Sequence, residues 1–487
     1  MGKSVIVIGA GVAGLAAAIR LARKGQIVTV LEANKYPGGK LTELRLGNYR
    51  FDAGPSLFTL PEEVEDLFQL CQTPIKEHFQ YEKLDTTCKY FYPDGTEVNA
   101  YADQERLVKE LNEKTGEPEE NIRKALEKSA FLYDHLAPVF MRKTLHKLST
   151  WTDSNAFKAY KKLFKFDFNR SMNQVNEGRF QSDKVIQLFN RYATYNGSDP
   201  YQTPATLNII PHLEFGIGAY FPQKGMHEIT KCLYELAKKS GVKFQFHTPV
   251  KKIVVHQGVA KGVNTQMGFH KADRVISNMD VVSTYKRLLK DHSQPTRLLN
   301  QPKSSSAIIF YWGVKKEFKH LDLHNIFFSD NYQAEFDHLF NKKTLYEDPT
   351  VYLNITSTQN PTDAPEGCQN WFTMINAPNN QGQDWDQLIA QAKQNILDKL
   401  SKQLGTDIAP LIDIEDVLDP RTIESRTSSA QGALYGNSSN NKYAAFLRHP
   451  NFSKKIKNLY FCGGSVHPGG GIPLSLLSAR IMAENYR

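Results

Sequence analysis

A chain of 487 residues is longer than one compact core can serve, so two or three domains are expected. A charged fraction of 23%, a mean hydropathy of −0.46 and the lack of any apolar run near the roughly 20 residues of a bilayer span describe a soluble protein. The net charge of +9 favours anionic partners, and five scattered cysteines without a CxxC pair read as reduced thiols of a cytoplasmic protein, not as a disulfide framework or a metal site.

The N-terminus, MGKSVIVIGAGVAG, has a short apolar core that runs on as a strand and a glycine turn, with no small-residue cleavage site. The opening Met-Gly also lacks the Ser or Thr favoured for myristoylation. Residues 5–8 predict a buried strand, residues 15–23 a helix closed by Gly25, and residues 28–31 a second strand ending in Glu32. Between the first strand and the helix, Gly9, Gly11 and Gly14 form G-x-G-x-x-G. The first glycine makes the turn, the second lets a pyrophosphate approach, and the third lets helix pack on strand. Glu32 stands where an acid accepts ribose hydroxyls. The candidate nucleotide contacts are therefore Gly9, Gly11, Val12, Ala13, Gly14, Glu32 and Ala33.

Downstream, Gly38-Gly39-Lys40 places a flexible turn and a cation just after the ribose-binding strand, able to reach phosphates or a flavin edge. Gly39 and Lys40 join the candidates, as do Pro55 and Ser56 a little further on. A nicotinamide would need a second nucleotide unit, and the nearest match, FGIGAYF, has Phe221 at the third glycine position. One site with the Gly-Gly-Lys extension argues for tightly held, non-covalent FAD.

Residues 105–210 are helical in pattern. Within 142–165, seven lysines and arginines stand against the single acid Asp153, with Trp151, Phe157, Tyr160 and Phe164 interleaved. Phe157, Tyr160 and Phe164 at helical spacing suggest an interfacial amphipathic segment. A basic helix with its aromatics in the core has the same composition, and no recognition motif supports nucleic acid. Residues 225–280 predict a helix from Gly225, a strand pair around Pro249 and a strand in ADRVISNMD. Val250 reads from the sequence as an edge residue that only packs, whereas a resemblance to the flavoprotein superfamily that carries Gly-Gly-Arg in place of Gly38-Gly39-Lys40 implies a backbone contact to adenine there. Residues 305–315, 349–356 and 370–377 are aromatic strands suited to facing a long hydrocarbon, or to packing on helices. An amphipathic helix follows over 385–404.

At the end, residues 459–462 form a strand, followed by Gly463-Gly464, the loop SVHPGGG and a helix over 472–486 with Pro473 in its first turn. A helix N-terminus presents free N–H groups and partial positive charge. Pointed at the pyrimidine edge of a flavin, it would stabilise the reduced anion. Gly464, Ser465, Gly471, Ile472 and Pro473 are the candidates there.

Gly-Gly-Lys resembles the Gly-Gly-Arg of the flavoprotein superfamily of amine oxidases and carotenoid desaturases; Lys40 keeps the charge without the planar fork. NLYFCGGSVHPGGGIPLSLLS, residues 458–478, resembles the C-terminal signature of phytoene-desaturase-type carotenoid desaturases. Val466 and Leu474 depart from the phytoene desaturases themselves and are closer to the hydroxycarotenoid 3,4-desaturase branch, as is NRYATYNGSDPYQTPATL at 190–207. The resemblance implies an α/β fold of three parts. A discontinuous Rossmann-like FAD-binding domain takes residues 1–75, 216–285 and 425–487, a mixed-sheet substrate domain 76–104 and 286–424, and a helical, membrane-facing subdomain 105–215. It implies hydride removal to flavin N5, making a C=C bond in a carotenoid, by 3,4-desaturation of a 1-hydroxylated acyclic end. The hydroxyl would be read by a polar group at the tunnel's closed end, with no residue assigned. O2 or a quinone would accept the electrons, and the enzyme would sit peripherally on the inner face of the cell membrane. Phytoene desaturation, carotenoid isomerisation, amine oxidation and a non-enzymatic lipid-binding flavoprotein are the rival readings. No acid–base pair is assigned, and His467 and Glu214 are read as structural.

Overall fold

Strand β1 (Ser4–Ile8) has a parallel neighbour on each side, and the chain supplies them from distant places. In the computed structural model, which describes residues 2–486, the sheet order is Leu459–Phe461, Arg274–Ser277, β1, β2 (Ile27–Leu31) and Lys243–Gln245, all parallel. The first, middle and last parts of the sequence thus build one sheet. Val5, Val7, Val28 and Val30 are buried between layers, as both-face-covered parallel strands require. Helix α1 (Val12–Arg23) packs against the helices His227–Lys239 and Ile472–Asn485. Its run Ala16-Ala17-Ala18, fully buried, allows that close approach.

The strand pair expected around Pro249 does not form. Lys243–Gln245 joins the parallel sheet, whereas Lys252–His256 starts an antiparallel sheet with Val259–Thr265 and Gly268–Lys271. The chain turns between them, with His247 at φ +50° and the Thr248 N–H donating to the Glu32 carbonyl at 2.8 Å. That contact holds the turn that carries Val250 against the end of β2.

A seven-stranded mixed sheet, in the order Ile412–Leu418, Ser306–Val314, Gln369–Ala377, Val351–Ile355, His324–Phe327, Thr86–Phe91 and Glu97–Tyr101, forms the second layer system. Its residues alternate. Phe310, Trp312, Trp371 and Ile375 pack with Trp385, Ile396 and Leu400 of the helix Trp385–Leu404. Ile309, Tyr311, Phe372 and Met374 face the other way, into a cavity. One face of the aromatic strands packs on that helix and the other lines the cavity.

Residues 104–217 are mainly helical. Segment 142–165 is not one amphipathic helix. It breaks into Leu148–Trp151, Ser154–Tyr160 and Leu163–Lys165, with Asp153 capping the second through the Asn155 and Ala156 amides. Phe157, Tyr160 and Phe164 are nevertheless exposed, Phe164 entirely, so the aromatics are not core. Tyr443 and Phe446, from a loop far along the chain, are exposed as well, and Phe446 stacks on Trp151 at 5.7 Å.

Candidate functional site

The two glycine loops open onto one cavity of about 1270 Å³ between the parallel sheet and the seven-stranded sheet. It is larger than an ordinary small-molecule pocket of about 300–1,000 Å³. Gly9, Gly11, Val12, Ala13, Glu32 and Ala33 line it, as do Gly39, Lys40, Pro55 and Ser56. Val250 lines it from the turn before the antiparallel sheet, and Gly464, Ser465, Gly471, Ile472 and Pro473 from the C-terminal loop and helix. Gly14 alone of the expected residues does not.

Each glycine of the first loop has a distinct geometric demand. Gly9, at φ +93°, needs the left-handed region. Gly11 has ordinary extended dihedrals and borders the cavity, where a Cβ would lie 2.8 Å from the Asn278 side chain. A Cβ on Gly14 would lie 2.1 Å from the Gly9 carbonyl oxygen, so it serves helix–strand packing. α1 has no cap from a side chain of its own N-terminus, and the N–H groups of Val12 and Ala13 in its first turn are left for an anionic ligand. Glu32 is buried. One of its oxygens, Oε2, accepts from Ala10 N at 2.7 Å and keeps a lone pair for a further donor, while Oε1 accepts from both Asn34 N at 2.8 Å and Asn34 Nδ2 at 3.1 Å. This donor and acceptor set fits a pyrophosphate and a ribose.

Lys40 does not extend freely toward phosphates. Its ammonium donates to the Ala433 and Leu434 carbonyls at 3.2 and 2.8 Å. Burial pulls its pKa down to about 8, and the Asp280 carboxylate opposes that shift. Asp280 accepts from the Val282 and Ser283 amides, and Ser465 Oγ accepts from Val281 N at 2.9 Å, tying the C-terminal loop to this corner.

At the far end, the helix Ile472–Asn485 starts from Gly471 at φ +98°, with no side-chain cap and with Pro473 in its first turn. A Cβ on Gly471 would meet nothing within 4 Å, so the space in front of the helix is open. His467 lies elsewhere. It is buried, donates from Nε2 to the Lys143 carbonyl at 2.7 Å, and burial lowers its pKa to about 3, which keeps it neutral. It clips the basic segment to the glycine loop.

Two features of the cavity were not read from the sequence. Asn278 follows the strand Arg274–Ser277. With its carboxamide oxygen toward the loop, it accepts from Gly11 N and Gly14 N at 3.3 and 3.2 Å. Its position beside β1, where chain direction across the sheet switches, was the available signal. The other feature is a polar cluster of Arg191, Tyr195, Glu214, His324 and Tyr352 on the substrate-sheet side. Its members come from two separate stretches, residues 191–214 and 324–352, and no local pattern joins them. Glu214, read as structural, belongs to it.

The family model described as flavin containing amine oxidoreductase matches residues 12–485. A Flavobacterium protein described as 1-hydroxycarotenoid 3,4-desaturase is 53% identical over 482 residues, covering 99% of this chain and 98% of that protein. A Staphylococcus aureus protein described as 4,4'-diaponeurosporene oxygenase is 32% identical, again over 99% of this chain and 98% of its own length. Among solved structures, cyclohexylamine oxidase from Brevibacterium oxydans superposes with a TM-score of 0.61 at 17% identity, covering 100% of this chain and 99% of that one. That likeness establishes the fold.

Proposed function

The chain belongs to the flavin containing amine oxidoreductase family, and from that premise we propose that it is an FAD-dependent carotenoid desaturase forming the 3,4 double bond at a 1-hydroxylated acyclic end. The observation that carries this reading is the full-length 53% identity to a protein described by that activity. The cavity supports it, because one half is built for a dinucleotide and the other is an apolar sheet face.

FAD, when bound, supplies the two-electron oxidant for the C–H bonds lost. The chain's own groups do the rest. The amides of Val12 and Ala13, beside the bare Gly11, would hold the pyrophosphate, Glu32 the ribose hydroxyls, and the Val250 backbone the adenine. The start of the helix at Gly471–Pro473 would direct its N–H groups at the flavin's pyrimidine edge. Ile309, Tyr311, Phe372 and Met374 would lay the hydrocarbon along the sheet and exclude water.

A C40 hydrocarbon resides in lipid, so the proposal includes docking at the inner face of the cell membrane, with O2 or a quinone as electron acceptor. No helix among the described residues is long and apolar enough to cross a bilayer. The exposed Leu148, Phe157, Leu163 and Phe164, set among lysines, suit an anionic lipid surface.

The test is to supply the enzyme with 1-hydroxylated acyclic carotenoids and, separately, phytoene. Each new conjugated double bond moves absorption to the red. Conversion of phytoene alone would move the chain to another branch, and conversion of neither with FAD bound would refute the desaturase reading.

A further inference from the structure

The apolar half of the cavity holds a polar island that desaturation of a hydrocarbon does not call for. Arg191 and Glu214 both line the cavity, and they are 7% and 1% exposed. Arg191 Nη2 donates to Tyr90 OH at 2.6 Å and to Glu214 Oε2 at 3.4 Å, and the Tyr195 hydroxyl donates to the same carboxylate oxygen. Both bonds end on Oε2, which leaves Oε1 for another donor. Arg191 Nε–H has no partner, although its guanidinium lies 4.5 Å from the Tyr192 ring centroid.

His324 adds a second donor without an acceptor. The Asn354 amide nitrogen donates to the Leu323 carbonyl at 2.9 Å, which fixes its orientation, and to His324 Nδ1 at 3.2 Å. Nδ1 is therefore an acceptor and the proton is on Nε2, which is buried without a partner. A buried ion pair with unmet donors is costly against hydrocarbon. An alcohol meets both needs at once. Its O–H donates to a carboxylate oxygen, and its oxygen accepts from a guanidinium or imidazole N–H.

The island is also well placed along the cavity. Ser56, beside the nucleotide half, bonds to Tyr352 OH at 2.7 Å, and Tyr352 OH bonds to His324 Nδ1 at 2.7 Å. A hydroxyl on C1 is only three bonds from C3, so the group that reads it has to stand beside the reacting carbons.

We propose that Arg191 and Glu214 bind the C1 hydroxyl of the substrate, with Tyr195 holding the carboxylate and His324 Nε2–H as a further donor, and that this contact selects the bond oxidised. The inference rests on the desaturase reading above.

The experiment compares acyclic carotenoids matched except for the 1-hydroxyl, using flavin-loaded enzyme. The wild type should prefer the hydroxylated one in kcat/KM by about ten- to hundredfold, the worth of a buried hydrogen bond to a charged group. Glu214→Gln should reduce that preference to within about threefold. The double variant Arg191→Leu/Glu214→Leu, which removes both charges and keeps apolar volume, should do the same. In either variant, flavin content should stay at wild-type level, and binding of the hydroxylated product to the oxidised enzyme, read from carotenoid absorption, should weaken by the same factor. Flavin-loaded variants that keep the preference would overturn the proposal. A wild type that forms the 3,4 bond equally in both substrates would overturn it while leaving the desaturase reading intact. Oxidation of neither would remove both.

Discussion

Gly11 and Gly14 are three residues apart in one motif, yet they are glycines for different reasons, and substitution should separate them. At Gly14 a Cβ would sit 2.1 Å from the backbone oxygen of Gly9, which cannot move without breaking the turn. Gly14→Ala should lower stability by about 2 kcal/mol or more, seen as a fall in Tm with or without flavin. At Gly11 the neighbour is the Asn278 side chain, which can shift, and the backbone is not strained. Gly11→Val should fold and lose FAD; a purified variant holding one FAD per chain would refute the loop's assignment. Lys40 permits a pH test. Its folded pKa of about 8 lies below the ordinary 10.5, so between those values the unfolded chain binds more protons than the folded one. Stability should therefore rise with pH across that window, and the burial penalty should be complete below it. Relative to Lys40→Met, wild type should gain at most about 3 kcal/mol from pH 8 to 10.5, since the side chain still borders the cavity. A wild-type-to-variant gap that is the same at pH 7.5 and 10 would place the ammonium in water.

Among the elements, the βαβ unit was legible because strand, turn, helix and acid follow one another within about thirty residues. The C-terminal loop was legible for a similar reason, with its glycines next to the helix they start. The short helices of 142–165 were not, because helical spacing of aromatics gives no sign that Asp153 restarts the helix or that Lys161 ends it. What spacing did capture was exposure of the aromatic side chains, and that is the property membrane docking needs. Lys158, Lys161, Lys162 and Lys165 are all exposed around Phe157 and Phe164. Each lysine near an anionic surface contributes about 1 kcal/mol, screened by salt. Changing all four to Gln should sharply reduce flotation with anionic liposomes, and raising the salt should have the same effect on wild type. Phe164→Ser should weaken binding in a way that salt does not reproduce. Flotation unaffected by either variant would place the docking surface elsewhere.

On the scale of the whole molecule, the sequence order hides what matters most. The parallel sheet takes strands from residues 4–8, 27–31, 243–245, 274–277 and 459–461, and the cavity takes loops from the same scattered places. Neighbour order across that sheet depends on pairing between segments as far apart as Val5 and Arg274, which no local periodicity encodes, and Asn278 and the Arg191–Glu214 pair were missed for the same reason. A ligand bound across such a junction ties both chain ends to the middle. Removing FAD should therefore cost more than a local contact. Binding to the folded state alone adds RT ln(1 + [L]/Kd), about 4 kcal/mol when free ligand is 1,000 times Kd. The deflavinated protein should melt several degrees lower. Its amide hydrogen exchange should speed up first at the turns near 9–14, 248–251 and 463–473. The core around Trp312 and Trp371, packed on its own helix, should keep its protection. Adding FAD back should restore both properties in wild type and neither in Gly11→Val. If apo and holo protein melt together, or if protection is lost evenly over the chain, the cofactor does not bridge these loops, and the cavity would have to be reassigned to another ligand.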